Sequence, residues 1–285
     1  MSDHKHLYLV DGSAYIFRAY YSLPPLTNPA GVPVGAVAGY SNMLWKLASD
    51  LHAADGPTHM AVVLDKAGTS FRNEIYDLYK ANRPPAPEDL RPQFPLIRDA
   101  TLAFSLPMIE EDNVEADDMI ASYTKAARAQ GWDVSIISSD KDLMQLVGDG
   151  VDMFDTMKDK RIGRDEVFEK FGVGPELVGD VLALMGDSSD NVPGVPGIGP
   201  KTATKLITEF GNLEAVLAAA ADMKPSKMRD NLIEHAELAR LSKVLVTLKE
   251  DCPLPIALED MALGPIPEEP LRPFLEEHGF RSLLN

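Results

Sequence analysis

The chain has 285 residues, 45% hydrophobic and 25% charged, enough for a sizeable core plus a second, smaller unit. No apolar run is long enough to cross a membrane, MSDHKHLYLVDG lacks a signal-peptide pattern, and Cys252 stands alone, which excludes internal disulfides and cysteine-based zinc sites and makes the cytoplasm the expected location. The net charge of −17 argues against a uniformly basic nucleic-acid binder, yet residues 66–98 hold six basic residues (Lys66, Arg72, Lys80, Arg83, Arg91, Arg98) against four acidic ones.

In chain order, three apolar runs end in aspartate: LYLVD at 7–11, MAVVLD at 60–65 and VSIISSD at 134–140. Each reads as a buried strand. The segments between them, GYSNMLWKLASDL, PLIRDATLAFSL and ADDMIASYTKAARAQG, read as helices, and this alternation predicts an α/β fold with a mostly parallel sheet covered on both faces. Ligands of such sheets sit beyond the carboxyl ends of the strands, so Asp11, Asp65 and Asp140 share one rim. One aspartate after a strand is more often a turn former, but three on a common rim are harder to dismiss. His4 and His6 fall on a tail expected to fray, and none of the six histidines reads as a ligand or base.

SFRNEIYDLYKANRPPAPEDLRP spans 70–92. If 71–83 is helical, Arg72, Tyr76, Tyr79, Lys80 and Arg83 share one face, and a basic face with interleaved rings suits a single strand of nucleic acid. The plainer alternative packs the tyrosines on the body and leaves the cations solvated. VEADDMIAS at 114–122 then places Glu115, Asp117 and Asp118 within four positions. Acids complement a helix N-terminus, which is the ordinary reading of this motif alone. The helix they begin precedes the strand at 134, however, and so starts at the same carboxyl edge. Asp142 follows two positions after Asp140.

Beyond residue 150 the pattern turns helical, with VFEKFG and PELVGDVLALMG, and VDMFDT is the only further strand-like run. GDSSDNVPGVPGIGPKTATKLITEFG supplies Asp187 and Asp190 and a glycine-rich turn, GVPGIGPK, with Pro200 at a first helical position. Gly197 and Gly199 leave backbone N–H groups open at a helix start, with Lys201 and Lys205 placed to reach phosphates; a tight connection is the plain alternative. A proline-rich, acidic stretch at 251–269 and a short closing helix end the chain.

With Asp187 and Asp190 folded back, nine carboxylates share the rim. Two ionised carboxylates about 4 Å apart repel by roughly 4 kcal/mol at an effective dielectric of 20, so such a cluster calls for cations. Oxygen donors without His or Cys suit hard ions, Mg²⁺ first and Mn²⁺ as substitute, and a pair about 4 Å apart serves hydrolysis of a phosphodiester without a separate base.

LVDGSAYIFRAY, the VLDK aspartate, SFRNEIYDLYKANRPP, VEADDMIAS, SSDKDLMQLV and GDSSDNVPGVPGIGPKTA occur in an order and spacing that resembles the 5′-nuclease superfamily. The likeness runs from about Leu7 to the final FRSLL and is greatest to the N-terminal 5′→3′ exonuclease domain of bacterial DNA polymerase I. It implies a PIN-like α/β catalytic domain over 1–172 with a helical arch at about 68–105. A helical DNA-binding subdomain at 173–250 with a helix-hairpin-helix element and a C-terminal segment at 251–285 would follow. Asp11, Asp65, Glu115 and Asp117 would form a first metal site, and Asp140, Asp142 and Asp190 a second with Asp117 near both. Asp118 and Asp187 would act through metal-bound water. Lys80, Arg18 and Arg83 would engage the scissile phosphate or the threaded strand, with Tyr79 placed for stacking.

The resemblance further implies a structure-specific 5′→3′ exonuclease and flap endonuclease acting on 5′ ends, flaps, nicked or branched duplex and RNA–DNA primer junctions in replication and repair. A C-terminal polymerase domain and a K⁺ ion at the hairpin turn are also implied. The alternatives are a non-catalytic DNA-structure binder, whose mark would be missing carboxylates, and a small-molecule phosphatase, which would not need the basic aromatic segment or the hairpin. Lys66 departs from the small residue relatives often carry after that aspartate.

Overall fold

The computed structural model describes residues 4–49, 56–66 and 68–284. β1 (His6–Asp11) leads into α1 (Gly12–Ser22) and α2 (Gly35–Ser49), and β2 (His59–Val63) is followed by the short α3 (Phe71–Ile75), α4 (Gln93–Ala103) and β3 (Met108–Ile109). α5 (Ala116–Ala129), β4 (Asp133–Ile137), β5 (Val151–Asp155) and β6 (Lys160–Ile162) complete the sheet. The rest is helical: α6 (Arg164–Phe171), α7 (Val178–Met185), α8 (Pro200–Phe210), α9 (Leu213–Ala219), α10 (Lys227–Glu234), α11 (Ala236–Val246) and α12 (Glu268–His278).

The sheet order is β3-β2-β1-β4-β5-β6, parallel except for β6. Leu9 on the central strand lies between Ala61 and Ile136. Because side chains alternate along a strand, Leu7 and Leu9 enter one core with α5 and the helical half, while Tyr8 and Val10 enter another with α1, α2, α4 and α12. Burial on both faces accounts for the continuous apolar runs.

Several expectations are corrected here. β3 and β6, two and three residues long, are too short to leave a sequence pattern. His6 is not frayed: it opens β1, and its Nε2 lies 2.9 Å from Ser135 Oγ. The helix expected over 71–83 ends at Ile75, where Tyr76 turns extended (φ −145°, ψ 104°). Within the stretch expected to form an arch, α4 joins the layer over the sheet, with Gln93 Oε1 accepting the Ala36 N–H of α2 at 2.8 Å, and turns occupy the interval from α3 to α4. The end of the expected helix GYSNMLWKLASDL, Asp50 and Leu51, lies outside the described residues. Among the described residues no helix is long and apolar enough to cross a membrane.

Two glycines set close approaches. A Cβ on Gly12 would meet Val62 Cγ1 at 2.9 Å, so the residue after Asp11 must be small for α1 to start against β2. Gly194 has φ 62° and packs its backbone directly on that of Gly186, closing the loop that carries Asp187 and Asp190.

Candidate active site

The strand ends are tied together by hydrogen bonds that also aim their acids. Asp11 closes β1 and caps α1: its Oδ1 accepts the Ala14 N–H at 3.1 Å and its Oδ2 the Ser138 hydroxyl at 2.7 Å. Asp65 accepts the N–H of Ala116, first residue of α5, at 2.8 Å, and its own N–H donates to Ser13 Oγ at 2.8 Å. Past β4, the Asp140 N–H donates to Ser138 Oγ (3.0 Å) and Asp140 Oδ1 accepts the Asp142 N–H (2.9 Å). Three loops and one helix start are thereby locked around one point. Asp11, Asp65, Glu115, Asp117, Asp140, Asp142 and Asp190 line a cleft of about 120 Å³ whose remaining walls include Lys80, Arg83, Ser13 and Phe17.

Their charges are handled in two ways. Burial, with Asp140 and Asp65 adding repulsion against the hydrogen bonds from Ser138 and Ala14, pushes the Asp11 carboxyl up to about 7. Burial and then Asp140 push Asp142 up to about 7, and burial, Asp140 and Asp11 raise Asp117 well above the usual range. Glu115 and Asp190 instead face cations. Lys80 Nζ lies 2.7 Å from Glu115 Oε1 and 3.8 Å from Asp190 Oδ2, Arg83 pairs with Asp190, and Tyr79 OH donates to Glu115 at 3.1 Å. Burial opposes the charge on Lys80, but Glu115 and Asp190 outweigh it and raise its pKa. Lys80 is also left-handed, at φ 56°, a conformation costing about 1–2 kcal/mol for a residue with a Cβ, and its N–H is anchored on the Asp190 carbonyl at 2.9 Å.

Other expected site residues sit elsewhere. Arg72 is 1% exposed and bound to Asp118, so it is not the strand-facing cation expected. Tyr79 is 4% exposed and Tyr76 half-buried against the core, so the basic aromatic face over 71–83 is not formed and Tyr79 is not open to stack on a base. Both follow from the chain turning at Tyr76. Arg83 keeps a half-exposed side chain in that segment. Asp118 is 0% exposed, its carboxylate taken by Arg72 and by the N–H groups of Glu115 and Lys249, which corrects its placement among the cleft acids. Asp187 lies behind the cleft, in a small pocket with Asp142 and Asp190, its Oδ2 2.6 Å from Lys141 Nζ. The Arg18 guanidinium rests on Asp155 (3.0 Å) and Ser139 (2.9 Å). Lys66 turns to Asp112 at 2.6 Å on the surface.

At the hairpin, Gly197 is left-handed (φ 81°), Gly199 caps α8, and Lys201 and Lys205 are exposed on α8. Asn231 Nδ2 donates to the Pro196 carbonyl (2.8 Å), and the Gly194 N–H donates to Ser242 Oγ (2.9 Å). Sequence reading passed over Ser13, Ser138, Phe17, Lys141 and Asn231. The i, i+4 spacing of Ser13 and Phe17 on the helix that Asp11 caps and the position of Lys141 between two rim aspartates were available signals; nothing local marks Asn231.

Whether these residues suit metal ions is testable on their donors. Among the described residues no three acidic, histidine or cysteine side chains are drawn into a ready-made metal-holding group. Glu115 and Asp190 are turned on to Lys80 and Arg83 instead. Yet Asp142 Oδ1 is buried without any hydrogen-bond partner, an orphaned acceptor facing other acids, and the donor set is all oxygen. The residues fit hard divalent cations.

A parallel sheet that gathers acids at its carboxyl edge, flanked by a helical hairpin, is the architecture of a metal-dependent nuclease. Residues 6–172 match the 5′-3′ exonuclease N-terminal resolvase-like domain and residues 173–269 the 5′-3′ exonuclease C-terminal SAM fold. The chain belongs to the 5′-3′ exonuclease family. It is 51% identical over 99% of its length to DNA polymerase I of Rhizobium leguminosarum and 40% identical over 98% to that of Bacillus caldotenax. It spans 28% and 32% of those relatives. Among solved structures, the 5′-exonuclease of T5 with bound zinc is similar at TM-score 0.72 and 26% identity, covering 97% of this chain and 99% of that one. A bacteriophage T5 flap endonuclease in complex with DNA and metal ions gives 0.71 and 26%, covering 96% and 100%. The catalytic core of Rad2, at 16% identity and TM-score 0.61 over 96% and 88%, shares the fold.

Proposed function

We propose that the chain is a structure-specific 5′→3′ exonuclease and 5′-flap endonuclease that hydrolyses phosphodiesters with divalent ions, Mg²⁺ first and Mn²⁺ in its place. One observation carries this reading: seven carboxylates from distant parts of the chain line one cleft together with Lys80 and Arg83. Asp11, Asp65, Glu115 and Asp117 would hold one ion, and Asp140, Asp142 and Asp190 the other beside Asp117, with Asp187 behind them. Such ions supply Lewis acidity, which makes water nucleophilic near neutral pH and stabilises a leaving oxygen.

The protein's own groups do the positioning. With the charges of Glu115 and Asp190 neutralised by bound ions, Lys80 and Arg83 would be free to bind the scissile phosphate, and the preset left-handed backbone keeps Lys80 aimed at the cleft. The Ser138 and Ser13 hydroxyls keep the strand-end loops, and with them Asp11 and Asp65, at fixed orientation. Arg18, braced by Asp155, stands ready for an adjoining phosphate of the 5′ strand. The N–H groups of Gly197 and Gly199, with Lys201 and Lys205, suit phosphates of duplex downstream, and a K⁺ ion at that turn is part of the same proposal.

The substrates proposed are 5′ ends and flaps, nicked or branched DNA, and RNA–DNA primer junctions, with a polymerase region as partner in the full-length protein. The Rhizobium and Bacillus relatives, of which this chain spans under a third, support that partner. A 5′-labelled flap substrate tests the reading: cleavage in Mg²⁺ that stops in excess EDTA is expected, and unchanged cleavage in EDTA would rule the chemistry out. A flap bound tightly but left uncut in Mg²⁺ would favour a non-catalytic binder instead.

A further inference from the structure

Arg72 is among the largest fully buried side chains of the molecule, and all five of its N–H groups have acceptors. Nη1 donates to Asp118 Oδ2 (2.7 Å) and Glu115 Oε2 (3.1 Å), Nη2 to Asp118 Oδ1 (2.7 Å) and the Thr247 carbonyl (3.0 Å), and Nε to the Leu245 carbonyl (2.8 Å). Asp118 in turn accepts the backbone N–H groups of Glu115 (3.1 Å) and Lys249 (2.9 Å). On the far side of the same segment, Gln145 Nε2 donates to the carbonyls of Asp142 (2.9 Å) and Val246 (3.0 Å), while its Oε1 accepts the Leu248 N–H (3.2 Å).

Residues 245–249, the stretch leaving α11, are therefore held along their length by side chains from α3, α5 and the turn that bears Asp142. Upstream on α11, Ser242 holds the Gly194 N–H at the base of the hairpin. One continuous line of bonds runs from the hairpin through α11 to the carboxylate of Glu115. A buried ion pair is a poor stabiliser compared with apolar residues of the same volume, so stability alone does not account for this one.

We propose that Arg72 and Asp118 form a positioning pair, which fixes the Glu115 carboxylate in the cleft and ties it to the helical half that grips duplex, and that Asp118 is no metal ligand. This rests on the metal-nuclease reading above. Glu115 and Asp190, though paired, line the cleft; Asp118 does not, being fully buried with both carboxylate oxygens taken by the guanidinium and by the N–H groups of Glu115 and Lys249.

The test uses the whole chain with three readouts: Mg²⁺ affinity by calorimetry, kcat and KM on a labelled 5′ flap, and the melting temperature. Asp118→Asn weakens Mg²⁺ affinity by no more than about tenfold, the lower end for a group that only orients a ligand, whereas Asp117→Asn, which removes a ligand, weakens it by well over about 100-fold. Arg72→Met lowers kcat by about tenfold or more and moves KM by less than about threefold, because the group acts only through Glu115. The double variant Arg72→Met/Asp118→Leu recovers melting temperature lost in the single variants but not kcat, and it carries the test if a single variant fails to fold. Asp118→Asn losing Mg²⁺ affinity as Asp117→Asn does, or kcat returning together with melting temperature in the double variant, overturns the proposal. A wild-type chain that neither binds Mg²⁺ nor cuts the flap removes the nuclease reading as well.

Discussion

Within the cleft, Glu115 and Asp190 carry their charges against Lys80 and Arg83, whereas Asp11, Asp117 and Asp142 form no ion pair with a described residue and have raised pKa values. The same residue type under the same crowding is stabilised by a partner in one place and by a proton in the other. By the assignment proposed above, each ion site would combine both kinds of acid, so loading would displace a cation from Glu115 or Asp190 and protons from Asp11, Asp117 or Asp142. The first exchange frees cations for substrate. The second makes metal loading depend on pH.

The largest effect expected is on the acids without a cation. Asp142→Ala removes the orphaned acceptor and lowers the cleavage rate on the order of 10²–10³-fold or more in single-turnover assays, the scale of losing one charge-stabilising group. Among the paired groups, Lys80→Ala slows cleavage by about 10²-fold while flap affinity, measured in Ca²⁺ by fluorescence anisotropy, changes by only a few-fold. Equal losses in both measurements would contradict the role given to Lys80.

Third comes stability. Asp11 and Asp142 titrate near 7 in the folded chain against an ordinary 3.8, so between about pH 4 and 7 the folded state holds protons that the unfolded chain has lost. The metal-free protein therefore loses stability as pH rises through that window, by roughly 2 kcal/mol or more. Urea denaturation at several pH values checks this, and Asp142→Asn flattens the slope. The smallest effect belongs to the helical half: Lys201→Ala weakens duplex binding modestly and reduces the slope of log affinity against log salt by about 1, with the cleavage step unchanged.

The cleft was largely legible in the sequence. Asp11, Asp65 and Asp140 each end an apolar strand run, and a parallel sheet leaves such ends on one edge, so the continuous runs and their alternation with helices placed them together. The helical half was legible through Pro200 and Gly211, which bound α8 as punctuation predicts. Arg72 and Tyr79 were not. A basic residue two places into a short helix looks solvent-facing, and its burial depends on Asp118, 46 residues away, and on carbonyls at Leu245 and Thr247, 173 and 175 residues away. No local pattern carries that information. Asp118 was misplaced although the sequence held a hint: adjacent residues of a helix point about 100° apart, so Asp117 and Asp118 do not face the same way.

The two kinds of cleft acid differ most directly in what metal binding releases. Calorimetric titration of the chain with Mg²⁺ at pH 6.5, repeated in buffers of different ionisation enthalpy, counts the protons expelled. Binding should release about one proton or more per chain, and less in Asp142→Asn, because the crowded acids give up protons to accept the ions. Binding with no proton release, or no binding at all, would contradict the account.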